Sequence, residues 1–289
     1  MNLTDYNEIR ALLSRHGFRF SKSLGQNFLV ADWVPRRIAE SAGLDEKTGV
    51  LEIGPGVGCL TAELSERAGK VLAVELDKAL KPVLAETLAG RGNVELLFGD
   101  VLKQDIPALV REHFGTLRPV VCANLPYNVT TPVLTALLEP GCFETVTVMI
   151  QREVAKRICA GANTLDYGAF GLFVQWHCET ELLFEVPPGC FVPQPKVTSA
   201  VIRLTRRERP PVEVADEALL FKVIRAAFNQ RRKTLPNALM AGLGLSRAEA
   251  DGAVAAAGYD LRIRGEAVDL PGFARIADAL TVCTPEKRP

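Results

Sequence analysis

Glu52-Ile53-Gly54-Pro55-Gly56-Val57-Gly58 follows directly on Gly49 to Ile53, an apolar run that reads as a short buried strand. Glycines at this spacing let the chain turn sharply and bring bare backbone against a ligand, since no Cβ stands in the way. Further strands are expected at Lys70 to Leu76, Asn93 to Phe98, Arg118 to Ala123 and Thr145 to Ile150, with helical stretches between most of them. Strands alternating with helices imply a parallel sheet covered on both faces. Ligands of such sheets bind beyond the carboxyl ends of the strands, which is where this turn falls. A dinucleotide fingerprint would need a third small residue five positions after the first glycine. Cys59 or Thr61 stands there, depending on the starting glycine, and no Gly-Lys-Ser/Thr follows to make a phosphate loop.

Three more strand ends carry polar groups. Glu75 closes the second strand, where an acid about 20 residues past the glycine turn can accept from both hydroxyls of a ribose. Asp100 closes the third and can accept from an adenine amino group. The fourth ends in Asn124-Leu125-Pro126-Tyr127. There the Asn oxygen and a backbone carbonyl, from Leu125 or Pro126, can each accept one hydrogen of an exocyclic amine. The Pro fixes the backbone, and the Tyr ring can stack on a base. A simple turn after a strand is the alternative for that tetrapeptide. Together the four strand ends outline a site for an adenosine cofactor beside a second base.

Composition bounds the rest. The 289 residues, 48% apolar and 24% charged, suit one large or two smaller globular domains. No apolar run approaches the ~20 residues that span a bilayer. The polar start carries no secretory core, so a cytoplasmic protein is expected. Seven scattered cysteines and three distant histidines read as neither a zinc site nor a disulfide framework, so no metal is expected. Thirty-four basic and 34 acidic residues leave no excess charge for holding nucleic acid in bulk. Any such binding must come from local clusters: Arg15 to Lys22, Arg203 to Arg209, or Arg231-Arg232-Lys233.

The glycine turn resembles motif I of S-adenosylmethionine-dependent methyltransferases, E-x-G-x-G-x-G. Ser21 to Leu29 (Ser-Lys-Ser-Leu-Gly-Gln-Asn-Phe-Leu), Phe191 to Val201 (Phe-Val-Pro-Gln-Pro-Lys-Val-Thr-Ser-Ala-Val) and Phe228 to Leu235 (Phe-Asn-Gln-Arg-Arg-Lys-Thr-Leu) extend the resemblance over nearly the whole chain. Together with Asn124 to Tyr127, they are similar to the bacterial 16S rRNA adenine-N6,N6-dimethyltransferase family. The resemblance implies a Rossmann-like methyltransferase sheet over residues 1–208, N-terminal extension included, and a small all-helical RNA-binding domain over 209–289. It implies S-adenosylmethionine as cofactor, with Gln26, Asn27 and Leu29 covering it, Gly54 against its methionine end, Gly56 among the cofactor-binding residues, Glu75 on the ribose and Asp100 on the adenine. Asn124 would face both cofactor and target amine. The implied partner is 16S rRNA in the 30S subunit or its precursor, dimethylated at two adjacent adenosines of a 3′-terminal hairpin loop during ribosome biogenesis.

Some readings stay open. Gln26-Asn27 also suits a helix start, where Asn is a good cap. Phe191 gives either a second stacking face or core packing. Arg203 to Pro211 reads as a linker or an exit from the sheet edge, and Asp216 to Met240, Ser246 to Ala257 and Pro271 to Leu280 as helices. Arg231, Arg232 and Lys233 then stand near the end of the first of these helices, placed to meet its dipole or to contact phosphates. No dimerisation pattern is visible, so a monomer is expected. Related enzymes acting on large-subunit RNA, and a non-enzymatic assembly factor, are the competing functions.

Overall fold

The computed structural model describes residues 1–21 and 24–283, with only the backbone of Cys283. Lys22 and Ser23, part of the first basic cluster and of the Ser21 to Leu29 motif, lie outside the described residues. The chain forms two compact units, Met1–Ala155 with Cys178–Arg206, and Lys156–His177 with Arg207–Pro289.

In chain order the elements are α1 (Tyr6–Arg15), β1 (Phe28–Leu29), α2 (Trp33–Ser41), β2 (Thr48–Ile53), α3 (Cys59–Ser65), β3 (Lys70–Glu75), α4 (Lys81–Thr87) and β4 (Val94–Phe98). Then come α5 (Ile106–Phe114), β5 (Arg118–Asn124), α6 (Thr130–Leu138), β6 (Thr145–Gln151), α7 (Arg152–Cys159) and α8 (Ala169–His177). β7 (Cys178–Val186), β8 (Phe191–Val192) and β9 (Ser199–Arg206) precede α9 (Glu217–Asn229), α10 (Leu235–Leu243), α11 (Arg247–Ala256) and α12 (Leu270–Cys283).

The first unit is built on a seven-stranded sheet in the order β4-β3-β2-β5-β6-β9-β7. The strands from β4 to β6 run parallel, and β9 lies antiparallel between β6 and β7. Every residue of β2 is buried. Helices cover both faces of such a strand, so its sequence carries no polar alternation. The chain leaves β2 toward β3 on one side, and the strand on its other side is β5. That reversal of strand order opens a crevice at the carboxyl ends. The five parallel strands coincide with the five read from sequence.

Four expectations are corrected. Arg203 to Arg206 belongs to β9 and not to a linker, because Ala200, Val201, Ile202 and Leu204 bury their side chains in the sheet. The charged residue between them, Arg203, pairs with its cross-strand neighbour Glu181 at 2.6 Å. Residues 26–29 start no helix; Phe28 and Leu29 form β1, paired antiparallel with Val192 and Phe191 of β8. The helix expected over 216–240 is two helices, interrupted at 230–234 and restarted by Pro236 in the first turn of α10. Pro is favoured there because the missing N–H has no partner to lose. Finally, residues 156–177 pack with the helical unit, while the strands that follow return to the sheet.

The helical unit has its own core, with Leu172, Trp176, Leu220, Ile224, Leu239 and Phe273 all buried. Tyr167 is buried with them and donates its hydroxyl to the Val268 carbonyl at 2.9 Å.

Candidate active site

At the carboxyl ends of the first unit's strands lies a cavity lined by Gln26, Asn27, Leu29, Glu52, Gly54, Gly56, Glu75, Asp100 and the stretch Asn124 to Tyr127. Gly54 and Gly56 have φ of +69° and +61°, a region disfavoured for side chains with a Cβ. A Cβ on Gly56 would stand 3.1 Å from two ring carbons of Phe28, so the backbone approaches the aromatic wall as closely as it can.

Glu75 ties this turn to the strand beside it. One carboxylate oxygen accepts from the Gly56 N–H at 3.3 Å, the other from the Asp77 N–H at 2.8 Å. Each keeps acceptor capacity, which fits a vicinal diol. Burial raises the Glu75 pKa, and the two backbone donors oppose the rise. Asp100 caps the next turn by accepting from the Leu102 N–H at 3.0 Å.

Gln26 lines the cavity and is also bonded within the protein. Its amide oxygen accepts from the Ser21 N–H at 2.9 Å, and its nitrogen donates to Asp77 at 2.7 Å. Both ends of the amide are therefore used inside the protein, pinning the segment before β1 to the β3 turn. Asn27 donates to the Gly25 carbonyl at 3.0 Å, and Leu29 is buried at the cavity wall.

The Asn124 side chain makes no hydrogen bond among the described residues, although it lines the cavity. The Pro126 carbonyl accepts from the Val129 N–H at 3.2 Å, and the Thr130 hydroxyl, 3.3 Å from both the Pro126 and the Tyr127 carbonyls, shares its one proton between them. The Leu125 carbonyl has no partner among the described residues. Of the two carbonyls left open by the sequence, the Leu125 carbonyl is the available acceptor. Tyr127 opens a single 3₁₀ turn, Tyr127–Val129, and its hydroxyl lies 2.5 Å from that of Ser199.

Phe191 is not at the site. It is 2% exposed and sits in the apolar core with Val186, Cys190 and Val201, because its register opposite Leu29 turns the ring inward. That corrects the stacking role and leaves packing. Glu52, the acid of the glycine-turn motif, also faces the site. It is 1% exposed, lines the cavity, and one carboxylate oxygen has no partner among the described residues. Burial, with repulsion from Glu75, pushes its pKa up to about 8. The signal for it was a lone charge inside the apolar strand Thr48–Ile53.

In the helical unit the three basic residues do not act alike. Arg231 donates to Glu266 at 2.9 Å and to the carbonyls of Leu165 and Thr164 at 2.7 and 3.4 Å, which makes it a clamp on the 164–165 loop. Arg232 and Lys233 are exposed, with no side-chain partner among the described residues.

The bare glycine backbone, the diol-matched carboxylate at the second strand end and the acid at the third fit an adenosine-bearing sulfonium cofactor. The fold and site define a Rossmann-like, S-adenosylmethionine-dependent methyltransferase. Residues 17–253 match the model of the ribosomal RNA adenine dimethylase family, and the chain belongs to that family. It is 47% identical over 276 residues to the ribosomal RNA small subunit methyltransferase A of Geobacillus thermodenitrificans, covering 94% of each chain. The protein of the same description from Streptococcus gordonii is 45% identical over 285 residues, covering 97% of this chain and 98% of the relative. Among solved structures, the 23S rRNA methyltransferase ErmE is 29% identical with a TM-score of 0.67, over 88% of this chain and 99% of that one. A dimethyladenosine transferase from Plasmodium falciparum shares the fold, with a TM-score of 0.70 at 22% identity, over 86% and 95% of the chains.

Proposed function

We infer that this enzyme transfers two methyl groups from S-adenosylmethionine to N6 of each of two adjacent adenosines in a 3′-terminal hairpin loop of 16S rRNA, within the small ribosomal subunit or its precursor. The observation that carries the chemistry is a pair of free acceptors on one stretch of backbone, the Asn124 side-chain oxygen and the Leu125 carbonyl. The adenine N6 lone pair is delocalised into the ring and is a poor nucleophile. Two acceptors holding its two hydrogens favour a pyramidal nitrogen with an available pair, and they stabilise the positive charge that develops there. Tyr127 stacks on the base and holds it in place. Bound S-adenosylmethionine supplies an activated methyl group, held by Gly54, Gly56, Glu75 and Asp100, so the work left to the protein is alignment.

The base must leave its stack to enter such a cavity, and a loop adenine costs least to extract. Arg232 and Lys233 of the helical unit contact RNA phosphates, and the whole process takes place in the cytoplasm. Small-subunit RNA is favoured over large-subunit RNA because the relatives at 45–47% identity carry the small-subunit description, whereas ErmE stands at 29%. Asn124→Ala tests the site: the folded variant should still bind cofactor and lose at least about a hundredfold in methyl transfer at saturating cofactor. Full transfer by this variant would overturn the assignment.

A further inference from the structure

Ser199 is the first residue of β9, 0% exposed, and fixed from both sides of the sheet by its register with Gln151 of β6 and Val186 of β7. The residue before it is tied down as well, since the Thr198 carbonyl accepts from the Arg152 N–H at 3.0 Å. A hydroxyl buried this deeply is costly unless it is hydrogen-bonded. Its partner is the Tyr127 hydroxyl, 2.5 Å away and 72 residues earlier in the chain. Ser199 itself does not line the cavity, whereas Tyr127 does.

Tyr127 needs such an anchor. It stands on a single 3₁₀ turn, its ring is half-buried, and the staggered rotamers about the Cα–Cβ bond point the ring in different directions. Backbone geometry alone does not choose among them. A hydrogen bond at the far end of the side chain, to an atom locked in the sheet, fixes the long axis of the ring and so where the ring stands. We propose that Ser199 is a positioning residue for methyl transfer, holding the Tyr127 ring in the place where the target base stacks on it. This rests on the stacking role given to Tyr127 above. It also gives the Phe191 to Val201 motif a task in the site: its Phe is core, and its Ser reaches the site through Tyr127.

Ser199→Ala and Tyr127→Phe remove the same bond from opposite ends, and methyl transfer to undermethylated small-subunit particles reads the effect. Each variant should bind cofactor as wild type does, keep its KM for cofactor, and lose about tenfold in kcat, the scale of one net hydrogen bond. The double variant should lose no more than either single one, because the bond can be broken only once. Wild-type kcat in Ser199→Ala, or losses that multiply in the double variant, would overturn the proposal. Tyr127→Phe carries the test if Ser199→Ala does not fold. Tyr127→Ala separates the two layers of the argument. If it keeps wild-type kcat, the stacking role fails and the proposal with it. If it is inactive while Tyr127→Phe and Ser199→Ala run at the wild-type rate, only the anchor fails.

Discussion

Replacing Glu52 by glutamine should change how the first unit's stability depends on pH. The carboxyl is 1% exposed, and one oxygen has no protein partner among the described residues. Its ordinary pKa of 4.5 is therefore pushed up to about 8. Between those values the unfolded chain has released the proton and the folded chain keeps it, so stability falls as pH rises through the window. Below pH 4.5 the penalty is absent, and above about 8 it is complete. At about 1.4 kcal/mol per pH unit, the displacement from 4.5 to about 8 amounts to about 5 kcal/mol. Glutamine does not titrate, so its own cost, about 1–3 kcal/mol for an amide left unpaired, is the same at every pH. The assay is urea unfolding without cofactor from pH 5 to 8.5, followed by Trp33 fluorescence in a Trp176→Phe background. Trp176 belongs to the helical unit, so the remaining signal reports the sheet. The stability of Glu52→Gln relative to the parent should climb from pH 5 to about 8 and level off above it. Parallel curves would refute the claim that Glu52 is buried as the neutral acid.

Three further outcomes follow from the same geometry. Gly56→Ala should weaken cofactor binding at least tenfold by calorimetry, since a Cβ at φ +61° meets the Phe28 ring at 3.1 Å and left-handed backbone costs about 1–2 kcal/mol. Cofactor affinity should be full above the raised pKa of Glu75 and decline as pH falls through it, because a protonated acid loses acceptor capacity; titrations of Glu75→Gln over the same pH range should show a flatter profile. Arg231→Ala should lower the melting temperature of the helical unit by freeing the 164–165 loop, whereas Arg232→Ala and Lys233→Ala should leave it unchanged. Each of the latter two should reduce RNA affinity and the slope of its salt dependence by about 1.

The parallel half of the sheet was legible because buried parallel strands are apolar throughout and helices separate them. β7 and β9 were not, because their outward positions carry paired charges such as Arg203 and Glu181, which in one dimension look like a solvated linker. The break between α9 and α10 was marked only by Pro236, inside a stretch whose apolar period otherwise runs on. The glycine turn, Glu75, Asp100 and Asn124 could be read because each closes a strand, and strand ends converge in this fold. What the sequence could not display were partners far apart along it. The bond of Gln26 to Asp77, 51 residues later, and that of Arg231 to Glu266 are of this kind. The choice between the Leu125 and Pro126 carbonyls depended on hydrogen bonds from Val129 and Thr130.

The most direct test of the assigned function is tritiated methyl transfer from S-adenosylmethionine to undermethylated 30S particles, with 50S particles in parallel and nucleoside analysis of the labelled RNA. N6,N6-dimethyladenosine in the 30S sample alone is the expected result. Label confined to the 50S sample, or no label in either while the protein binds cofactor, would contradict it.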